Sequence, residues 1–132
     1  MTYKILQALV IVLALTSVVR AEAPNPASPG KDLFRAKCVA CHSVACNRQG
    51  PKLEALFGRQ AASVPDFRDY TAELRASGIV WTEETLDPFL CDPEKLVPGT
   101  LMSVIGSIDS AKDRKDLIAY LRREDRSFDL CR

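Results

Sequence analysis

Cys38-Val39-Ala40-Cys41-His42 is the stretch that decides how this chain is read. Two cysteines separated by two residues and followed at once by histidine form the attachment pattern of a c-type haem. The thiols join the porphyrin and the adjacent imidazole binds the iron. The rest of the composition narrows the chemistry. His42 is the only histidine, so no second imidazole can take the other face of the iron. Apart from Met1 the only methionine is Met102, which follows Pro98-Gly99-Thr100-Leu101. A six-coordinate haem with common ligands is therefore restricted to His42 and Met102, a pair that raises the potential of electron-transfer haems.

Other uses of the same residues are weaker. A thioredoxin-like pair needs a strand-helix-strand setting, and none precedes Cys38. Zinc could draw on Cys38, Cys41, Cys46 and His42, but the adjacent Cys41 and His42 converge poorly on one tetrahedral ion, and no second ligand pair follows. A lone methionine is more often core filler than ligand. The Pro-Gly-Thr turn ahead of Met102 places it in a loop, which favours the ligand role.

Residues 1–21 read as a secretion signal. Lys4 supplies the positive start, Ile5 to Val19 is largely apolar, and Ala21 ends a small-residue cleavage site. The apolar run of about 15 residues is short of the ~20 that a stable membrane span requires. Residues 22–29 form a Pro-rich leader, and 30–132 a single domain. Export suits covalent haem and disulfides alike, so a periplasmic location is expected. Without Lys4 and Arg20 the 18 basic side chains fall to 16 against 17 acidic ones. That balance gives no footing for nucleic acid, and any partner that docks by charge must use a local patch.

Helical spacing begins at Lys31 with Leu33 and Phe34, and the spacing suggests that the last turns of this helix deliver Cys38 and Cys41. Leu53, Leu56 and Phe57 suggest a further short helical piece, and 58–70 is irregular. Thr82 is set to cap a helix carrying Leu86, Phe89 and Leu90, with Pro93 as its stop. Asp109 or Ser110 caps a last helix that buries Leu117, Ile118, Tyr120 and Leu121. No strand pattern appears. An all-α fold of three to five helices wrapped around the haem, with long loops, is the expectation.

With these motifs placed, the chain resembles a class I cytochrome c of the mitochondrial and α-proteobacterial c and c2 type. The likeness spans about Gly30 to Leu121. It is carried by Cys38-Val39-Ala40-Cys41-His42, Gly50-Pro51-Lys52-Leu53, Gly58-Arg59, Trp81, Pro98-Gly99-Thr100-Leu101-Met102 and Asp116-Leu117-Ile118-Ala119-Tyr120-Leu121, in that order. The resemblance implies one covalent haem c, held by Cys38 and Cys41 and ligated by His42 and Met102. The Pro51 carbonyl would accept the second ring N–H of His42. Arg59, Tyr70 and Trp81 would donate to a buried propionate; core packing for Trp81 and Tyr70, and a surface charge for Arg59, are the alternatives. Gly30 and Phe34 would meet Leu117 and Tyr120 where the first and last helices cross.

In the fold that the chain resembles, the loop after the haem histidine lies near the end of the last helix. This implies a Cys46–Cys131 disulfide and leaves Cys91 as the odd thiol. Phe89 stands where many relatives have a tyrosine, and Val104 where an aromatic residue is common. Glu94 and Leu101 replace frequent lysines, while Lys37 and Lys95 remain.

The implied function is that of a monomeric, non-enzymatic one-electron carrier. It would dock transiently with redox proteins at an exposed haem edge and would have no stable membrane span. Two other classes remain: a haem enzyme or sensor that binds peroxide or a gas once Met102 leaves, and a dedicated electron-accepting subunit of a dehydrogenase.

Overall fold

Five α-helices and one 3₁₀ turn make up the regular structure of residues 28–129 and Cys131, the part of the chain that the computed structural model describes. The signal predicted at 1–21, and the leader up to residue 27, lie outside the described residues. The only extended pairing among the described residues is an isolated antiparallel bridge between Gln60 and Val80. The all-α expectation therefore holds.

Helix α1 (Pro29–Lys37) starts where Ser28 accepts from the Lys31 amide and Pro29 supplies a preset first turn. It ends one residue before Cys38, earlier than the spacing suggested. The Phe34 carbonyl takes both the Cys38 amide at 2.8 Å and the Val39 amide at 3.1 Å, which breaks the i→i−4 register there. Cys38, Cys41 and His42 consequently sit on a tight turn closed by the His42 amide and the Cys38 carbonyl at 2.8 Å.

Helix α5 (Ala111–Leu121) is capped by Ser110 and buries Leu117, Ile118, Tyr120 and Leu121. It packs on α1. Gly30 makes this crossing possible, because a Cβ there would fall 2.0 Å from the Asp116 carbonyl oxygen and 2.9 Å from the Tyr120 Cβ. One turn along, the Phe34 and Tyr120 rings meet at 5.3 Å. Leu117 beside them is fully buried.

Between these helices the chain frames a cavity. Helix α3 (Glu83–Cys91) opens with a capping box between Thr82 and Thr85 and turns Leu86, Phe89 and Leu90 inward. Asp92 follows it, and its side chain caps the short α4 (Pro93–Leu96) by accepting from the Lys95 amide at 3.0 Å. Pro93 thus begins a helix rather than merely stopping one, since its fixed φ suits a first turn. Helix α2 (Ala72–Ala76), capped by Thr71, has no buried residue, which is why no apolar stripe announced it. The helical piece expected around Leu53 to Phe57 is a pair of turns instead. There the amides of Leu53 and Glu54 bond sideways to the carbonyls of Ser43 and Val44, and Ala55 turns to φ 50°.

Beyond α5 the tail folds back over the turn that carries His42. Phe128 stacks on Phe34 at 6.4 Å, and Asp125 pairs with Lys31 at 3.3 Å. One oxygen of Asp129 accepts from the Ser43 hydroxyl, from the Val44 amide at 2.8 Å and from the Ala45 amide at 3.2 Å. Two residues on, Cys131 is joined to Cys46, with their Cα atoms 5.8 Å apart and a separation of 85 positions in sequence.

Candidate haem-binding site

The helices and loops enclose a cavity of about 300 Å³. Cys38, Cys41, His42 and Met102 all line it, so the fold brings together four residues spread over more than half of the domain. Leu86, Phe89, Leu90, Leu117 and Leu121 make an apolar wall, the setting that excludes water from a porphyrin. Leu101 and Val104 also line the cavity, yet are 65% and 77% exposed, which puts them at its mouth.

His42 is held in this cavity by a hydrogen bond from its ring. Its Nδ1 lies 2.7 Å from the Pro51 carbonyl oxygen. A carbonyl only accepts, so Nδ1 carries the proton and Nε2 keeps the lone pair that a metal needs. Burial lowers the imidazole pKa; the Pro51 carbonyl opposes this, and the Arg59 charge adds to it. The ring is therefore neutral, the ligating form. Gly50 lies so close to the ring that a Cβ there would fall 2.4 Å from Cε1. This cradle fixes the ring's rotation, and only glycine fits it.

The thiol of Cys38 is buried, which pushes its pKa up to about 12 against the opposing effect of Lys37. Cys41 is half-exposed, and its Sγ lies 3.4 Å from Gln49 Oε1. Cys46, one of the residues a zinc site would draw on, is bonded to Cys131 instead.

The three residues expected around a propionate all line the cavity. Arg59 donates to the carbonyls of Glu54 at 2.6 Å and Lys52 at 3.0 Å, which ties the turns of that segment together. The Tyr70 hydroxyl accepts from the Val64 amide at 3.3 Å, so its own proton is left to donate. Trp81 is buried against Phe89 at 4.9 Å between ring centroids. Its indole N–H has no hydrogen-bond partner among the described residues.

Met102 lies on the 3₁₀ turn Leu101–Ile105 rather than in an open loop. The Thr100 side chain begins that turn by accepting from the Met102 amide at 3.3 Å. With two thiols, a neutral imidazole and a thioether around one apolar cavity, the donor set fits a covalent, hexacoordinate haem. Sequence reasoning missed two supports of this arrangement, the Asp129–Ser43 contact and an Asp87–Arg114 pair. Neither leaves a spacing signal, because each joins residues remote in the chain.

Comparison with known proteins agrees with this geometry. The sequence model described as Cytochrome c matches residues 27–124. The chain belongs to the cytochrome c family. A cytochrome c from Sesamum indicum is 39% identical over 102 residues, 75% of this chain and 90% of that protein. One from Gibberella zeae is 43% identical over 96 residues, 70% of this chain and 89% of that protein. Among solved structures, cytochrome cH from Methylobacterium extorquens superposes with a TM-score of 0.68 at 38% identity, covering 74% of this chain and 97% of that one. As a cytochrome c, the protein binds one covalent haem c and is a haem electron carrier.

Proposed function

We propose that this cytochrome c is an exported, periplasmic one-electron shuttle whose haem is held by Cys38 and Cys41 and ligated by His42 and Met102. The observation that carries the reading is the His42–Pro51 hydrogen bond in the cavity that Met102 also lines. It leaves Nε2 as a preset donor, and Met102, the only methionine besides Met1, lines the same cavity, which Cys46, Cys91 and Cys131 do not. When bound, the haem supplies an Fe(III)/Fe(II) couple.

The chain's own residues do the rest. Pro51 and Gly50 hold the imidazole in one orientation, so little rearranges between oxidation states. The wall of Leu86, Phe89 and Leu90 keeps water out. Tyr70 and Trp81 offer O–H and N–H donors that can stabilise a carboxylate in a buried setting. The apolar mouth formed by Leu101 and Val104 supports transient docking of a redox protein with modest electrostatic steering. Export is supported by the pattern of residues 1–21 and by the use of cysteines beyond the haem motif.

The test is spectroscopic and electrochemical. The oxidised protein should show the weak near-infrared band of a methionine–iron bond and should cycle reversibly with one electron. A high-spin ferric spectrum with rapid peroxide or gas binding would replace the shuttle by the enzyme or sensor reading. Secretion into the periplasm with a mature mass starting at residue 22 plus one haem tests export.

A further inference from the structure

The segment carrying Met102 is attached to the rest of the protein almost only at its ends. Upstream, Thr100 is buried and its amide donates to the Val97 carbonyl at 3.1 Å. From Leu101 to Ser107 the hydrogen bonds are local: Ser103 to Thr100, Gly106 to Ser103 and Met102 to Thr100. Among the described residues, the single outside partner is the exposed Lys37 ammonium, 3.5 Å from the Ile105 carbonyl. Leu101 and Val104 face solvent, so the segment's side-chain packing comes mainly from Met102, which sits partly buried against the core.

The downstream end is held differently. Ile108 is buried and its amide donates to the Leu90 carbonyl on α3 at 3.1 Å. Arg114 of α5 then gathers the segment's end: Nη1 donates to the carbonyls of Ile108 at 2.8 Å and Asp109 at 2.9 Å. The same guanidinium is oriented by Asp87 of α3, through Nε at 2.8 Å and Nη2 at 3.3 Å. Its side chain is only 10% exposed. A planar fork engaged bidentately on one side and on two carbonyls on the other has one position available.

We propose that Asp87 and Arg114 are positioning residues for Met102: their clamp fixes the downstream end of its segment and so sets how readily the methionine leaves the iron. The inference rests on the reading of Met102 as a ligand. To leave, residues 101–107 must swing as a unit, and besides local bonds and the long, exposed Lys37–Ile105 contact the ties to break lie at Thr100 and at Ile108. Weakening the clamp raises the population of the swung state, because the clamp is made in the closed state and lost in the open one.

The experiment titrates the ferric holoprotein with imidazole, which competes with methionine for the iron. Asp87→Asn keeps the side chain's shape and removes the charge that orients the guanidinium. It should bind imidazole roughly two- to fivefold more tightly than wild type, the range open to a half-exposed pair. Asp87→Glu should restore the wild-type affinity. Glu83→Gln, which breaks the exposed Arg122–Glu83 pair between the same two helices, should leave it unchanged. Equal affinity in Asp87→Asn and wild type overturns the proposal, as does an equal rise in Glu83→Gln.

Met102→Ala separates the two layers: if it too leaves imidazole affinity unchanged, the ligand assignment falls and the clamp's role falls with it. Hydrogen exchange on the wild-type ferric protein is independent of any variant. The Ile108 amide should exchange roughly tenfold more slowly than the Gly106 amide. Equal rates would show that the clamp does not anchor the segment.

Discussion

His42 Nδ1 donates to the Pro51 carbonyl oxygen across 2.7 Å, and this bond determines which ring nitrogen is left for iron. Gly50, the residue before Pro51, closes the other side of the ring. Placing a methyl group at position 50 must push the imidazole or the backbone aside, an overpacking effect of about 1–3 kcal/mol. Gly50→Ala should therefore lower the unfolding midpoint and reduce the fraction of protein carrying low-spin haem, as measured by denaturant titration and by the visible spectrum. Wild-type values in both would show that the ring has room to spare.

Met102→Ala should leave a folded protein with covalent haem but without the near-infrared methionine band. Its ferric iron should be high-spin or water-ligated, and its reduction potential should fall, because the thioether favours the reduced state. A spectrum and potential indistinguishable from wild type would mean that another group binds the iron.

Cys46 and Cys131 close a loop of 85 residues, and constraint of the unfolded chain predicts a contribution of about 2–4 kcal/mol. The Cys46→Ser and Cys131→Ser variants should lose similar amounts of stability, and the double variant no more than either alone. Alkylation of the denatured, unreduced protein should label Cys91 and spare the other two. A peptide linking Cys91 to either partner would refute this pairing.

Asp129 gives a pH signature. Burial alone would push its carboxyl up, but the hydrogen bonds from Ser43, Ala45 and Val44 outweigh that and hold it below the ordinary carboxylate value. A depressed folded-state pKa contributes stability that is present above the unfolded value, about 4, and lost as pH falls through the folded value. Asp129→Asn should thus be less stable than wild type at neutral pH, with the gap narrowing below about pH 4. A gap of constant size across that range would assign the effect to packing, not to charge.

The Cys-x-x-Cys-His run, the single internal methionine Met102, the apolar stripes of α1, α3 and α5, and the caps of the last two were all readable in one dimension. Each is a local pattern: a covalent attachment motif, a composition so sparse that few ligands exist, or side chains three and four residues apart on a helix face. The ends of elements were harder. Whether Leu53 to Phe57 coils into a helix turned on where the Leu53 and Glu54 amides found acceptors, and those acceptors, the Ser43 and Val44 carbonyls, lie on another loop. The bifurcated Phe34 carbonyl that stops α1 short of Cys38 is likewise a matter of backbone geometry. The Asp129 carboxylate on the Ser43 loop and the Asp87–Arg114 clamp behind Met102 became visible only once the chain had folded. No periodicity encodes a contact between residues 86 or 27 positions apart, because it exists only where packing of the helices brings the two side chains together.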